Sequence, residues 1–316
     1  MPTIISLAKS TQELNNILDL RFHVYAELRP QSRTILSATQ KLIDPLDVFP
    51  TTKNILATEE GRPVGAIRIS EIQAGNPTQG FSYSFDESAK NMSGRSYILD
   101  MFCVDKSAVK NNMIIDCIFR MALKILSDMR VENAFFLSPK ELVGRLTDYG
   151  FEPIQNSYFC EKYKTEVVPL KITTKKFLEY FEKEFKDKEL LRFKEIFYYS
   201  VYSPGEIMAA QGERGISAFL ITEGEVHVLL QKDDSLLKLA TLSRGSLIGE
   251  IAMLTSEPRT ASLVATQYTS CIVFDRAEFL ELMYAEPHRS LDIFKIFSKR
   301  LADSNRKLVE VQNANR

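Results

Sequence analysis

Residues 247–265 read LIGEIAMLTSEPRTASLVA, and this run decides the fold of the second half of the chain. Gly249 lets the backbone approach a ligand closely and opens a short helical turn whose free N–H groups face an anion. Arg259 follows ten residues later, far enough to fold back across that turn. Its fixed fork of donors suits a phosphate carrying one negative charge. Glu250 stands at the start of the turn, where its carboxylate accepts a hydrogen bond from a ribose hydroxyl. An anion-cradling turn, an arginine and one carboxylate together suit a small phosphorylated sugar ligand.

The surroundings fit a β-rich frame. Six of the thirteen glycines fall between 205 and 249, and between and beyond them lie the short runs AFLIT, EVHVLL, LLKLATL, TASLVAT and SCIVFD. Short β-branched and aromatic runs at intervals of ~8–12 residues, punctuated by turn glycines, predict a jelly roll or sandwich. Helical spacing returns at Phe279, Leu282 and Met283, and again at Leu291, Phe294, Phe297, Leu301 and Leu308.

The segment 247–265 resembles the phosphate-binding cassette of cyclic nucleotide-binding domains, and YSPGEIMAAQGERGISAFLITEGEVHVLL resembles the first strands of that family. The resemblance covers about residues 175–310. It implies that Gly249, Glu250 and the amides of Ile251 and Ala252 hold ribose and phosphate. It assigns Arg259 to the exocyclic phosphate and puts the Thr260 hydroxyl near phosphate or purine. It further implies an effector, cAMP ahead of cGMP. The last helix would then close over the purine, form a homodimer seam, or pack on its own barrel. After the cassette the chain carries no helix-turn-helix of ~60 residues, so a DNA-binding reading is not expected.

The first half reads as α/β. STQELNNILDLRFHVYAEL and MIIDCIFRMALKILSDMR have helical periodicity, with Ser10 or Thr11 as N-cap of the first. NILATEE and VGAIRISE predict a strand pair joined through Gly61, and SYILDMFCV, NAFFLS and FEPI are further strands, with a helix in PKELVGRLTDY. Alternating strands and helices predict a sheet with covering helices. The Lys- and Glu-rich TTKKFLEYFEKEFKDKELLRFKEIF, with Phe177, Phe181 and Phe185 as its stripe, reads as a solvated amphipathic linker helix or a lever between domains. The division expected is an α/β domain over 1–168, a helical linker over 169–196 and the nucleotide domain over 197–316.

LRFHVYAEL (Arg21, Val24, Tyr25), LIDPLDVF (Asp44, Asp47), Arg68 and LTDYGFEPI give this half a resemblance to the GNAT acyltransferase fold, in its N-acyl amino acid synthase and acyl-homoserine-lactone synthase branch. The resemblance implies acyl-CoA or an acyl carrier protein as donor and an amine as acceptor. A carboxylate beside a thioester holds an ammonium group or relays its proton. Asp44, Asp47 and Arg68 are therefore the catalytic candidates, unless they form an ordinary Asp–Arg network that fixes the loop. Phe102, Val104 and Lys110 are the candidates for the acyl donor. Met113 and Ile115 stand where the family uses small residues against a pyrophosphate. This departure keeps two readings open: an acyltransferase regulated by a nucleotide, and a nucleotide sensor whose first domain is inactive.

Composition narrows the field. With 40 Lys+Arg against 41 Asp+Glu the net charge is -1, which gives no general attraction to nucleic acid or anionic lipid. The longest uncharged run, Thr260 to Phe274, falls short of the ~20 apolar residues of a membrane span. No secretory signal is visible at the N-terminus, and a cytoplasmic location is expected. Cys103, Cys117, Cys160 and Cys271 lack CxxC pairing and read as reduced core thiols. Three scattered histidines offer no metal pair, so no metal is expected.

Overall fold

The computed structural model describes residues 1–28, 41–43, 45–72, 85, 94–106, 108, 112–161, 164–184, 197–233, 235–285 and 298. Two of its elements follow from local chemistry alone. Helix α1 (Thr11–Leu28) opens with a reciprocal cap. The Glu13 backbone N–H donates to Ser10 Oγ at 3.2 Å, and the Ser10 N–H donates to Glu13 Oε2 at 2.9 Å. Strands β2 (Lys53–Glu59) and β3 (Arg62–Glu71) are joined by Glu60 and Gly61, both at positive φ (52° and 77°), as a two-residue hairpin of right-handed twist requires.

The α/β half adds β1 (Thr3–Leu7), β4 (Ser96–Val104), helix α2 (Asn112–Asp128), β5 (Asn133–Pro139), helix α3 (Val143–Asp148), β6 (Glu152–Pro153), β7 (Tyr158–Cys160), β8 (Thr165–Thr173) and helix α4 (Thr174–Glu184). Strand β8 pairs antiparallel with the whole of β5, through Val167–Thr173. It crosses residue 168, and the same sheet continues beyond that point. Phe177 of α4 is buried in the main core rather than solvated. Phe185 and the terminal stripe at 291–308 lie outside the described residues.

Beyond residue 197 the chain is mostly strand: β9 (Phe197–Tyr202), β10 (Ile207–Ala209), β11 (Ser217–Glu223), β12 (Glu225–Lys232), β13 (Ser235–Ser243), β14 (Leu247–Ile248), β15 (Ser262–Ala265) and β16 (Thr269–Asp275), with helices α5 (Glu250–Thr255) and α6 (Arg276–Ala285). Two sheets result, β14-β11-β16-β9 and β10-β15-β12-β13, which is the jelly-roll sandwich expected from the glycine spacing.

The first of these sheets does not stop at the domain edge. Strand β9 pairs antiparallel with β1, Thr3 opposite Val201 and Ile5 opposite Tyr199, and β1 pairs with β2 on its other side. One 12-stranded sheet therefore runs through both halves, in the order β14-β11-β16-β9-β1-β2-β3-β4-β5-β8-β6, with β7 joined to β8. Helix α2 lies across the junction and packs on β1, β2, β3 and β9. Its Ile114, Ile118 and Leu123 share one core with Tyr199, Leu220, Met253 and Phe274 of the sandwich.

The four cysteines are free and buried. Burial pushes the thiols of Cys103 and Cys117 up to about 12, so both stay protonated and unreactive at neutral pH.

Because the halves share a sheet and a core, they are expected to unfold together. Ile5, fully buried on the joining strand, should cost about 2–5 kcal/mol when truncated to Ala. Calorimetry of Ile5→Ala should show one transition shifted down; two separated transitions would show that the halves melt independently.

Candidate functional site

Of the cassette expected from sequence, the structure brings Gly249 and Arg259 into contact. Gly249 caps α5 in the left-handed region (φ 79°). A Cβ there would stand 2.5 Å from Arg259 Nη1, the mobile end of a long side chain, so it is the left-handed backbone that favours glycine. Gly215 approaches α5 as closely, since its Cβ would fall 2.2 Å from that of Ala252. Ala252 is thereby buried, while Ile251 is exposed and leaves the main chain of the turn near the surface.

Arg259 does fold back across the turn. Its Nη1 donates to the Gly249 carbonyl at 2.7 Å, and its Nη2 to the Ser217 carbonyl at 2.6 Å and to Ser217 Oγ at 3.3 Å. The guanidinium stacks 5.7 Å from the centre of the Phe219 ring. Main-chain bonds from Arg259 N–H to the Glu213 carbonyl and from Gly212 N–H to the Arg259 carbonyl fix the residue in place. Burial lowers its pKa from the ordinary value, yet an arginine stays cationic at any neutral pH. Among the described residues the guanidinium hydrogen-bonds two carbonyls and the Ser217 hydroxyl but no carboxylate, and an anionic ligand supplies a counter-charge. Glu250 is half-buried in the first turn of α5 and Thr260 is exposed beside Arg259.

In the α/β half the predicted Asp47 and Arg68 also meet, in a buried network. Asp47 Oδ1 accepts from Arg21 Nη1 at 2.7 Å and lies 3.1 Å from Arg68 Nη1. Arg68 grips Asp100 with two bonds, Nε–Oδ1 at 2.8 Å and Nη2–Oδ2 at 2.6 Å, and Arg21 Nη2 donates to Asn54 Oδ1 at 2.7 Å. All five residues are at most 8% exposed, the arrangement in which buried charges are tolerated. Asp100 was not singled out from sequence. Its signal was present as one acid inside the apolar run SYILDMFCV, since a carboxylate on a buried strand requires a cationic partner. Asp44 and Lys110 lie outside the described residues.

Beside this network the sheet splits. Strands β4 and β5 pair in parallel only from Ser96–Asn133 to Leu99–Phe136. Beyond that point β4 stays with β3 and β5 stays with β8, and the two diverge. A bulge accompanies the split: Met101 and Phe102 together face the single residue Ile67, and Met101 takes φ 48°. The gap is a cavity of about 400 Å³ with a mostly apolar wall, including Leu99, Met101, Phe102, Phe136 and Leu137, and it reaches Asp100. Tyr25 also lines it and donates its hydroxyl to the Phe102 carbonyl at 2.9 Å. Of the predicted donor contacts, Phe102 faces this cavity, whereas Val104 pairs with Gly65 and packs against the core. Ile115 is buried in the core and Met113 packs against it.

Removing Asp47 takes the paired carboxylate from buried Arg21 and leaves Arg68 with Asp100, so Asp47→Ala should cost about 3–5 kcal/mol. A urea midpoint close to that of the parent would show that the network is not structural.

Comparison with known proteins bears on the second half most directly. Residues 200–286 match the family model described as the cyclic nucleotide-binding domain. The chain is 41% identical over 68 residues to a cAMP-dependent protein kinase regulatory subunit of Mycosarcoma maydis, covering 22% of this chain and 13% of that protein. It is 33% identical over 115 residues to cGMP-dependent protein kinase, isozyme 1, of Drosophila melanogaster, covering 35% of this chain and 14% of that protein. It thus spans only a small part of the curated relatives it matches. Among solved structures, a cyclic nucleotide-binding domain from Methylobacillus flagellatus aligns with 41% of this chain and 80% of its own, at 22% identity and TM-score 0.38. FeeM, an N-acyl amino acid synthase from uncultured soil microbes, aligns with 57% of this chain and 95% of its own, at 10% identity and TM-score 0.42. Residues 200–286 of this chain belong to the family of cyclic nucleotide-binding domains.

Proposed function

We propose that the protein binds a cyclic nucleotide, cAMP in first place, and that the nucleotide regulates an acyltransferase site in the α/β half. The observation that carries the first part is the placement of Arg259 on Gly249 at the start of α5, within a stretch that matches the nucleotide-binding family. The cyclic phosphate takes the place that carbonyls hold now. Arg259 turns from Gly249 and Ser217 to the phosphate, the amides of Ile251 and Ala252 face it, Glu250 takes a ribose hydroxyl, and Thr260 lies by the purine. Release of the Ser217 carbonyl acts on the first residue of β11. A nucleotide regulates only through such differences in contact between the two states.

The cavity between β4 and β5 supports the acyltransferase reading. Its apolar wall suits an acyl chain carried on coenzyme A or an acyl carrier protein, and Asp100 at its edge suits an acceptor amine. There the carboxylate holds the ammonium or takes its proton, after which the amine nitrogen bonds to the thioester carbon, the carbon–sulfur bond breaks, and the departing thiolate takes the remaining proton from the nitrogen to leave as a thiol. Asp47, Arg68 and Arg21 act through Asp100 by fixing its orientation. A cytoplasmic setting is part of this proposal and accords with four free thiols.

The competing reading keeps the sensor and removes the catalysis. It is favoured by the engagement of Asp47 and Arg68 in buried pairs, which leaves Asp100 as the network carboxylate at the cavity.

Calorimetric titration separates the cases. Arg259→Ala should weaken cAMP binding by about 10- to 150-fold, the equivalent of ~1.5–3 kcal/mol for hydrogen bonds to a charged group. Unchanged affinity would refute the placement of the phosphate. Leu137→Trp fills the cavity and should lower the affinity for a long-chain acyl-CoA or acyl carrier protein at least about tenfold, with cAMP affinity unaltered. Acyl-donor binding that differs with and without cAMP supports regulation. Binding of cAMP with no acyl donor bound in either state establishes the sensor reading.

A further inference from the structure

A second cavity, of about 220 Å³, lies where the two halves meet and shares no lining residue with the gap between β4 and β5. Strand β1 ends beside it at Ser6 and Leu7, helix α2 lays Met121, Ile125 and Met129 along it, and β9 contributes Tyr198. The wall is mostly apolar. Two methionines make it adaptable, because an unbranched thioether chain fits irregular shapes. An apolar cavity of ~150 Å³ admits benzene, so this one has room for an apolar body of roughly five to eight carbon atoms.

The charges at the border are unequal. Among the described residues there are three lysines, Lys9, Lys53 and Lys124, against two acids, Glu13 and Asp128. Both acids are engaged. Asp128 accepts two bonds from Lys124 Nζ, at 2.5 and 2.7 Å. Glu13 Oε2 accepts from the Lys9 and Ser10 N–H groups at 2.8 and 2.9 Å, and it feels the charge of Lys9. Lys53, at the start of β2, is the remaining cation. It is half-buried, and its ammonium makes no hydrogen bond or ion pair among the described residues. A lysine in this position lays its stem along apolar surface and keeps its head within reach of water. An anion therefore meets it without burying a bare charge. An apolar floor with one unmatched ammonium at the rim suits a molecule that is apolar at one end and carries a single negative charge at the other.

We propose that this cavity binds a small monocarboxylate, its apolar body on Met121, Ile125 and Met129 and its carboxylate on Lys53. The site is separate from the cyclic nucleotide cassette and does not depend on it. Both halves form the wall, so the ligand binds only the assembled seam and strengthens it. A short aliphatic acid and an arylacetic acid share the chemistry required.

The test uses the full chain carrying Leu137→Trp, so that the gap between β4 and β5 is filled and takes up no apolar probe. Hexanoate and phenylacetate are titrated separately by calorimetry and by thermal melting, alongside the neutral 1-hexanol and 2-phenylethanol. The acids should bind and raise the melting temperature, and the alcohols should bind at least about tenfold more weakly, as the loss of a hydrogen bond to a charged group requires. Lys53→Met keeps the apolar stem and removes the charge. Lys53 is only half-buried, so this variant is expected to fold, and it should bring the acids down to the affinity of the alcohols. Ile125→Trp fills the cavity and should abolish binding of all four probes. The tighter of the two acids tells an aliphatic from an aromatic ligand. No binding of either acid, equal affinity for acids and alcohols, or acid binding unchanged in Lys53→Met would overturn the proposal.

Discussion

The antiparallel pairing of β1 with β9 is the constraint on which the rest of the molecule depends. It turns the sandwich sheet and the α/β sheet into one surface, and a single helix, α2, covers the join. Two domains connected by a flexible linker are expected to move as separate bodies. Here backbone hydrogen bonds and a common core hold them in register, so a displacement in β11 or β16 reaches α2 through packed side chains. Close-packed interiors transmit such shifts because they contain few voids to absorb them.

The same constraint explains where the buried charges sit. Helix α2 carries Asp116, Arg120 and Lys124, three charged residues within its buried span. The neighbouring elements cover it, and all three are under 8% exposed. Asp116 and Lys124 find partners in Arg145 and Asp128, whereas Arg120 does not complete its bonds. In the Asp47–Arg21–Arg68–Asp100 network, by contrast, each charge meets an opposite one at 2.6–3.1 Å. The Asp47 network is closed, whereas Nε and Nη1 of Arg120 lack a hydrogen-bond partner among the described residues. Their difference is a matter of geometry, since the residue types are alike.

How much was legible in the sequence depended on the distance over which each feature is encoded. Gly249 and Arg259 are ten residues apart and meet through one helical turn, so their contact was readable from the cassette. The hairpin at Glu60 and Gly61 and the Ser10–Glu13 cap are equally local. Strands β1 and β8 were missed. TIISL is short and lies before the first helical run, and TEVVPLKIT contains a proline and stands next to a charged helix. Neither shows the clean alternation or flanking turns that mark a strand. Their identity comes from the partners they find, β9 and β2 for one and β5 for the other.

The sequence by itself determined the jelly roll and the turn at Gly249 that Arg259 folds back on, because glycine positions and strand spacing are properties of neighbouring residues. It marked Asp47 and Arg68 and left open whether they serve catalysis or an Asp–Arg network; their burial, which demands partners, is a property of the fold. Only the tertiary structure decided that Asp100 is the partner of Arg68, that β4 and β5 part to open a cavity, and that Arg120 of α2 comes within 3.7 Å of Glu223 in the sandwich. Those contacts join residues from 32 to more than 100 positions apart. Their geometry depends on sheet order and on the pairing of β1 with β9, and no local pattern of side chains encodes either.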